Sequence, residues 1–255
     1  MPLTAHQLGY HRDHPDARDR TFVADASVIA TLPASVDLSK TPYEPPIVDQ
    51  RPLASCSAHA IGAMFAFVAA KEARPPVVPS RLFIYYNERR VEGTTATDSG
   101  AKIRDGIKTI AKLGVCHEDL WPYDAAQFAA QPTPPCYENA LANQAIEYFR
   151  ISGGLPDLKA CLAAGYPFVF GMSIYSNFFT PETAQTGEGR MPGPSDVLLG
   201  GHAVTAVGYD DATQQFLLRN STGTQWGMKG YFTLPYAFLE SKHLANDFWT
   251  LRSVA

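Results

Sequence analysis

The chain has 255 residues, 45% hydrophobic and 18% charged, enough apolar material for a sizeable core in one domain or in two lobes sharing a cleft. With 21 Lys and Arg against 25 Asp and Glu its formal charge is −4, so the balance indicates neither a nucleic-acid partner nor an anionic membrane surface. The densest basic pair, Arg89-Arg90, stands between Glu88 and Glu92 and reads as a solvated helix end.

From the N-terminus, Met1 to Arg20 mixes His, Arg and Asp without an apolar run, so no Sec-type signal is expected. Residues 1–31 read as a polar arm. Its histidines His6, His11 and His14 do not recur with acidic or cysteine ligands at a helical offset, and no metal site is expected there. At Leu32-Pro33-Ala34-Ser35-Val36-Asp37-Leu38 the text changes to alternating apolar and turn residues, and Pro42 to Pro52 then reads as extended chain. A helix is predicted to start close to Cys56, with Ser55 as its N-cap, and to run through Ile61, Met64, Phe65 and Val68. The apolar stretch Ala60 to Ala70 within it is too short to span a bilayer and suits a buried core helix. Further helices are predicted over Ser80 to Val91 and over Ala101 to Leu113, the second ended by Gly114.

After the proline-rich loop Gln131 to Pro135 strands are predicted over Ala145 to Ile151, Pro167 to Ser173, His202 to Tyr209, Gln215 to Asn220 and Gly230 to Leu234, with one helix at Pro156 to Ala164. Glycine and proline cluster from Gly187 to Gly201 and mark a long surface loop before His202. A helical half followed by a β-rich half predicts an α+β protein with a cleft between lobes: an arm at 1–31, a helical lobe at 32–145 and a β-rich lobe at 146–255. The four cysteines, Cys56, Cys116, Cys136 and Cys161, show no CxxC spacing and no secreted-minidomain density. A reducing compartment is therefore expected, the cytoplasm or a destination reached without a Sec signal peptide.

Four residues fit the parts of an acyl-transfer site. A thiol is a strong nucleophile only as thiolate, so it needs a base, a group that orients the base, and a donor for the oxyanion formed on the attacked carbonyl. Cys56 is preceded six positions earlier by Gln50. Far downstream come His202, in Gly200-Gly201-His202-Ala203-Val204, and Asn220, in Arg219-Asn220-Ser221. A helix N-terminus beside the thiol would favour the thiolate.

The segments Val48 to Cys56, Gly201 to Tyr209 and Arg219 to Tyr231, which includes Gln225-Trp226-Gly227, resemble the papain family of cysteine peptidases, and the likeness extends from Leu32 to Trp249. The resemblance implies a two-lobed fold, a helical left lobe and an antiparallel, β-barrel-like right lobe, with the active site between them. It implies a peptide or protein substrate, Cys56 as nucleophile, His202 as base and then acid, Asn220 as orienter and Gln50 in the oxyanion hole. No metal or organic cofactor is required. Ser99 and Gly100 are similar to the family's substrate-binding strip. Gly201 is expected beside it, Trp226 on the leaving-group side, and Asp247 in a specificity pocket where it would accept basic residues.

The chain departs from the family pattern at Leu53, where many secreted members carry a disulfide cysteine, and at Ala54, where a glycine is usual; two further departures are Ser57, where an aromatic residue is usual, and Thr222, where a tryptophan usually shields the His–Asn bond. Ser57 and Thr222 are the support for a second reading, a catalytically silent module that binds a peptide or ligand. A third keeps the same residues but passes the acyl group to an amine, as a ligase or isopeptidase does. The arm is shorter than the helical pro-domain of lysosomal members, and its Gly9-Tyr10 and Arg18-Asp19 are similar to elements of bacterial members with short N-terminal extensions. It is expected to lie across the cleft as a pro-segment, to pack on one lobe as a permanent strap, or to be unstructured. His59, one helical turn after Cys56, is expected to have a packing or cap-like role.

Overall fold

The structure is a computed structural model and describes residues 8–152 and 154–255, so His6 lies outside the described residues. The arm carries β1 (Tyr10–His11), β2 (Thr21–Phe22) and the short α1 (Ala26–Ile29), and is followed by β3 (Ser35–Asp37). The helical lobe is built on α2 (Cys56–Lys71), which is apolar on nearly every face and buried accordingly. Ser55 holds its N-cap position without capping, because the hydroxyl instead contacts Tyr123 Oη at 2.6 Å. Around α2 pack α3 (Arg81–Glu92) and, after β4 (Ala101–Lys102), α4 (Ile103–Lys112). Ser80 caps α3 by accepting from Phe83 N–H at 3.1 Å, and Gly93 closes it in the left-handed conformation that glycine adopts without penalty. Ile103, Ile107 and Ile110 make the buried stripe of α4. Arg89 is not the solvated helix end predicted: it is fully buried, with its guanidinium donating to the carbonyls of Tyr85, Thr95, Thr97 and Phe128.

The remaining elements are α5 (Pro134–Ala140), β5 (Ala145–Ile151), α6 (Leu155–Ala163), β6 (Phe168–Tyr175), α7 (Pro181–Thr186), β7 (Leu198–Asp210), β8 (Gln215–Arg219), β9 (Tyr231–Pro235), α8 (Tyr236–Glu240) and β10 (Ala245–Val254). One sheet runs in the order β2-β5-β10-β6-β7-β8-β9, with β3 also paired to β7. Phe168, Phe170, Phe216 and Phe232 lie in its apolar core. A second cluster joins α2, α3 and α4 to Val169, Ala203, Trp249 and Leu251, so the lobes share buried contacts behind the cleft.

The sheet is an open path rather than a barrel, and its β2–β5 pair is parallel. β3 falls within 32–145 but pairs with β7, so the chain crosses to the β-rich lobe before the helices begin. The arm is not unstructured: β1 pairs with β4 of the helical lobe and β2 with β5 of the other. No helix among the described residues is long and apolar enough to cross a membrane.

Candidate active site

Cys56 is the first residue of α2 and its side chain is fully buried. The backbone N–H groups of Ala203, Gly9 and Ser57 favour its thiolate, yet burial is the larger effect and pushes the thiol up to about 11. Ala203 follows His202 on β7, so the nucleophile helix and the strand of the imidazole meet at the sulfur. The register of β7 on β8 sets Thr205 opposite Arg219 and brings the residue after β8 beside His202. There Asn220 Oδ1 lies 2.9 Å from His202 Nε2 and also accepts from Ser221 N–H at 2.9 Å. His202 Nδ1 has no hydrogen-bond partner among the described residues. Burial lowers His202 to about 4 against the opposing bond to Asn220, so thiol and imidazole are both neutral in this arrangement.

Gln50 ties the lobes together beside the nucleophile. Its N–H donates to Ser221 O at 2.8 Å, its Nε2 to Leu53 O at 2.8 Å, and its Oε1 accepts from Ser221 Oγ at 2.5 Å. Asp49 and Thr222 form a bridge next to it. Thr222, Asn220 and His202 are all buried without a tryptophan at 222. Ser57 points away from the cleft and donates to Glu88 Oε2 at 2.8 Å inside the helical lobe, where burial raises Glu88 well above the usual carboxylate range. Neither departure from the family text exposes the His–Asn bond. Trp226 packs on Phe178 and Phe232 and lines a groove of about 520 Å³ with Phe179, Pro181 and Gln225.

The strip at Ser99 and Gly100 is held near Cys56 by Asp98, which accepts from Ala54 N–H at 3.0 Å and Tyr85 Oη–H at 2.5 Å. The arm lies along this strip. Ala101 N–H donates to Gly9 O at 2.8 Å, Tyr10 is in register with Ala101, and His11 Nε2 is 2.5 Å from Ser99 O. A Cβ on Gly100 would strike the Gly9 backbone, and one on Gly201 would strike Tyr10, so glycine at these two positions is what lets the arm backbone approach. The Tyr10 ring lies over Gly171, and its hydroxyl donates to Asp247 Oδ2 at 2.5 Å.

Asp247, expected in a specificity pocket that accepts basic residues, has its partners within the chain. It is buried, also accepts from Asp13 N–H at 2.7 Å, and is paired with Arg150 Nη2 at 2.5 Å, so its charge already has a cation of its own. Sequence reasoning missed Arg150 and Arg104 as arm anchors. Arg104 pairs with Asp19, both nearly buried, and its N–H donates to Asp13 at 3.2 Å; Trp249 Nε1 donates to Asp13 at 3.0 Å. The one available signal was the Arg18-Asp19 pair in the arm.

The family model described as papain family cysteine protease matches residues 32–245. The crystal structure of xylellain, a cysteine protease from Xylella fastidiosa, is similar with a TM-score of 0.93 and 41% identity over 98% of this chain and 97% of that one. An uncharacterised peptidase C1-like protein of Acanthamoeba polyphaga mimivirus is 38% identical over 97% of this chain and 87% of its own length. A cathepsin B-like protein of Giardia intestinalis is 29% identical over 85% of this chain and 74% of its own length.

Proposed function

The chain belongs to the papain family of cysteine proteases, and from that premise we propose how its buried residues divide the hydrolysis of a peptide bond. Cys56 gives its proton to His202 Nδ1, the nitrogen opposite Asn220, and the thiolate adds to the peptide carbonyl carbon. The oxyanion accepts from Gln50 Nε2–H, and His202 returns the proton to the leaving amine as the C–N bond breaks. A thioester remains. His202 then takes a proton from water, hydroxide adds to the thioester, and the acid product leaves as the thiol is reformed. The 2.9 Å bond between His202 Nε2 and Asn220 Oδ1 carries this reading, since it fixes which imidazole nitrogen is left to face the thiol. Labelling with a vinyl-sulfone probe tests it: Cys56→Ala and His202→Ala are expected to abolish labelling, and label on another cysteine would sink the assignment.

The arm is proposed to occlude this site. Gly9 and Tyr10 run where a substrate backbone would use Ser99, Gly100 and Gly201, and the buried, neutral thiol and imidazole suit a resting form. The Tyr10 ring fills a pocket with Asp247 at its floor, which supports substrates bearing a hydrogen-bond donor on an aromatic ring over basic ones there, because Arg150 already balances the carboxylate. Trp226 is assigned the leaving-group side. Turnover by a chain beginning at Leu32 is expected to exceed that of the full chain, and equal rates would remove the occlusion. The free thiols of Cys56, Cys116, Cys136 and Cys161 support a reducing compartment.

A further inference from the structure

Two buried nitrogens, one from each lobe, have no partner among the described residues, and the residues that carry them line the same void. His59 lies one turn after Cys56 on α2 and is 2% exposed. Its Nδ1 is 2.9 Å from the Ser55 carbonyl oxygen, which can only accept, so Nδ1 carries the proton and Nε2 presents a lone pair. That lone pair is unpartnered. Asn220 spends its Oδ1 on His202 Nε2 and on Ser221 N–H, and the second bond fixes which amide atom is oxygen. Its Nδ2 is left with two N–H donors and no acceptor. His59 and Asn220 both line a cavity of ≈ 10 Å³ whose walls include Val48, Ala60, Thr205 and Ser221.

That volume is the space of about one water. A donor on one wall and an acceptor on the other are what a single water needs to accept once and donate once. Leaving either nitrogen dry carries the full desolvation penalty of an unmade hydrogen bond. We propose that the void is a built water site and that His59 is a positioning residue for Asn220, holding the amide through one water so that Oδ1 stays aimed at His202 Nε2. The inference rests on the proposed role of Asn220 as the orienter of His202.

The arrangement has a chemical reason. An Asn side chain turned by 180° keeps its shape but would set N–H donors against both His202 Nε2–H and Ser221 N–H. A water held by a histidine lone pair selects the orientation that works. Burial first, then the charge of Arg81, lowers His59 to about 3 against the opposing bond to Ser55 O, with Arg219 and His202 acting in the lowering direction, so it stays an acceptor throughout the neutral range. Tyr123 packs edge-on against the imidazole, with centroids 4.8 Å apart, and restricts how the ring can turn. Because His59 and Cys56 share α2, the water also links the nucleophile helix to the strand end that carries Asn220.

A high-resolution crystal structure of the full chain is the first test, with a water expected at hydrogen-bond distance, about 2.7–3.2 Å, from both His59 Nε2 and Asn220 Nδ2. A dry cavity, or a water touching only one of them, overturns the proposal. The second is solvent exchange of the His202 Nε2–H proton by NMR on the same full chain. His59→Phe keeps a ring but no acceptor, and should speed exchange by about tenfold; His59→Gln, whose Oε1 can accept near the Nε2 position, should restore it. Unchanged exchange in His59→Phe overturns the positioning role. If that variant does not fold, loss of the bridging water in His59→Gln does so instead. Failure of the peptidase reading is separate, since it appears as absence of Cys56-dependent probe labelling.

Discussion

Cys56 and His202 show desolvation outweighing every favourable contact in the site. The thiol stands at a helix start and faces three backbone N–H groups, yet is pushed up to about 11; the imidazole has its Asn partner, yet falls to about 4. Both shifts shrink once water reaches the pair, which makes orientation of the ring the part that must be built in advance. Asn220→Ala removes that orientation and leaves Nε2 buried and unpaired, so kcat/KM for a peptide is expected to fall by about tenfold or more, as read from initial rates. Cys56, His202, Asn220 and Gln50, which the fold brings together, could be singled out in the sequence because each sits in a distinctive local text. Ser57 was not, because its partner Glu88 is on another helix and adjacent letters do not record which face of α2 turns inward. Glu88 has a folded pKa above its unfolded one, so the folded state holds the proton more tightly and wild-type stability is lost as pH rises from the unfolded value through the folded one. Glu88→Gln keeps the shape without a titrating group. Its melting temperature is expected to hold over the rising pH range in which that of the wild type declines; parallel declines would show that Glu88 is not the cause.

Elements with a cap or a sustained period were readable, and those defined only by a distant partner were not. Ser80 and Gly93 bound α3 within a residue of the expected ends, and β5 matches its predicted span. β10 was missed although it lies inside the sheet between β5 and β6; its course is interrupted at Asp247, which has φ 58°. β1 and β4 are two residues each, too short for any alternation to show, and exist because they pair with one another. That pairing depends on Gly9, where a Cβ would strike the backbone carbonyl of Ala54. Valine at this position can seat only if β1 lifts from the strip. Gly9→Val is therefore expected to raise the rate of Cys56 labelling in the full chain by roughly tenfold or more, since lifting β1 uncovers a fully buried thiol. A rate at or below that of the wild type would mean that β1 does not control access.

Across the whole molecule the arm is pinned at both lobes, by Arg104 of the helical lobe and by Arg150, Asp247 and Trp249 of the β-rich one. A segment held mainly by ion pairs and carboxyl hydrogen bonds has an affinity that depends on pH, and the sign follows from Asp13. Burial first, then the nearby Asp247 charge, raises Asp13 from 3.8 to about 6, against the opposing bonds from Trp249 and Arg104. Released into water, the same carboxyl returns to its ordinary value. The docked arm thus binds the proton more tightly, and docking strengthens as pH falls from about 6 towards 4, with little contribution from Asp13 above that window. Asp16 is displaced the opposite way, chiefly through bonds to Arg18 within the arm. The rise in Asp13 corresponds to at most roughly a hundredfold change in docking. Labelling of Cys56 also varies with pH through the thiol itself, so the informative quantity is the rate in the full chain divided by that in Asp13→Asn. This ratio is expected to climb between pH 4 and about 6 and then level off, because the Asn variant lacks the proton that tightens the wild-type arm. A ratio that is flat over this range, or that falls, would exclude Asp13 as the group that sets how readily the arm leaves the cleft.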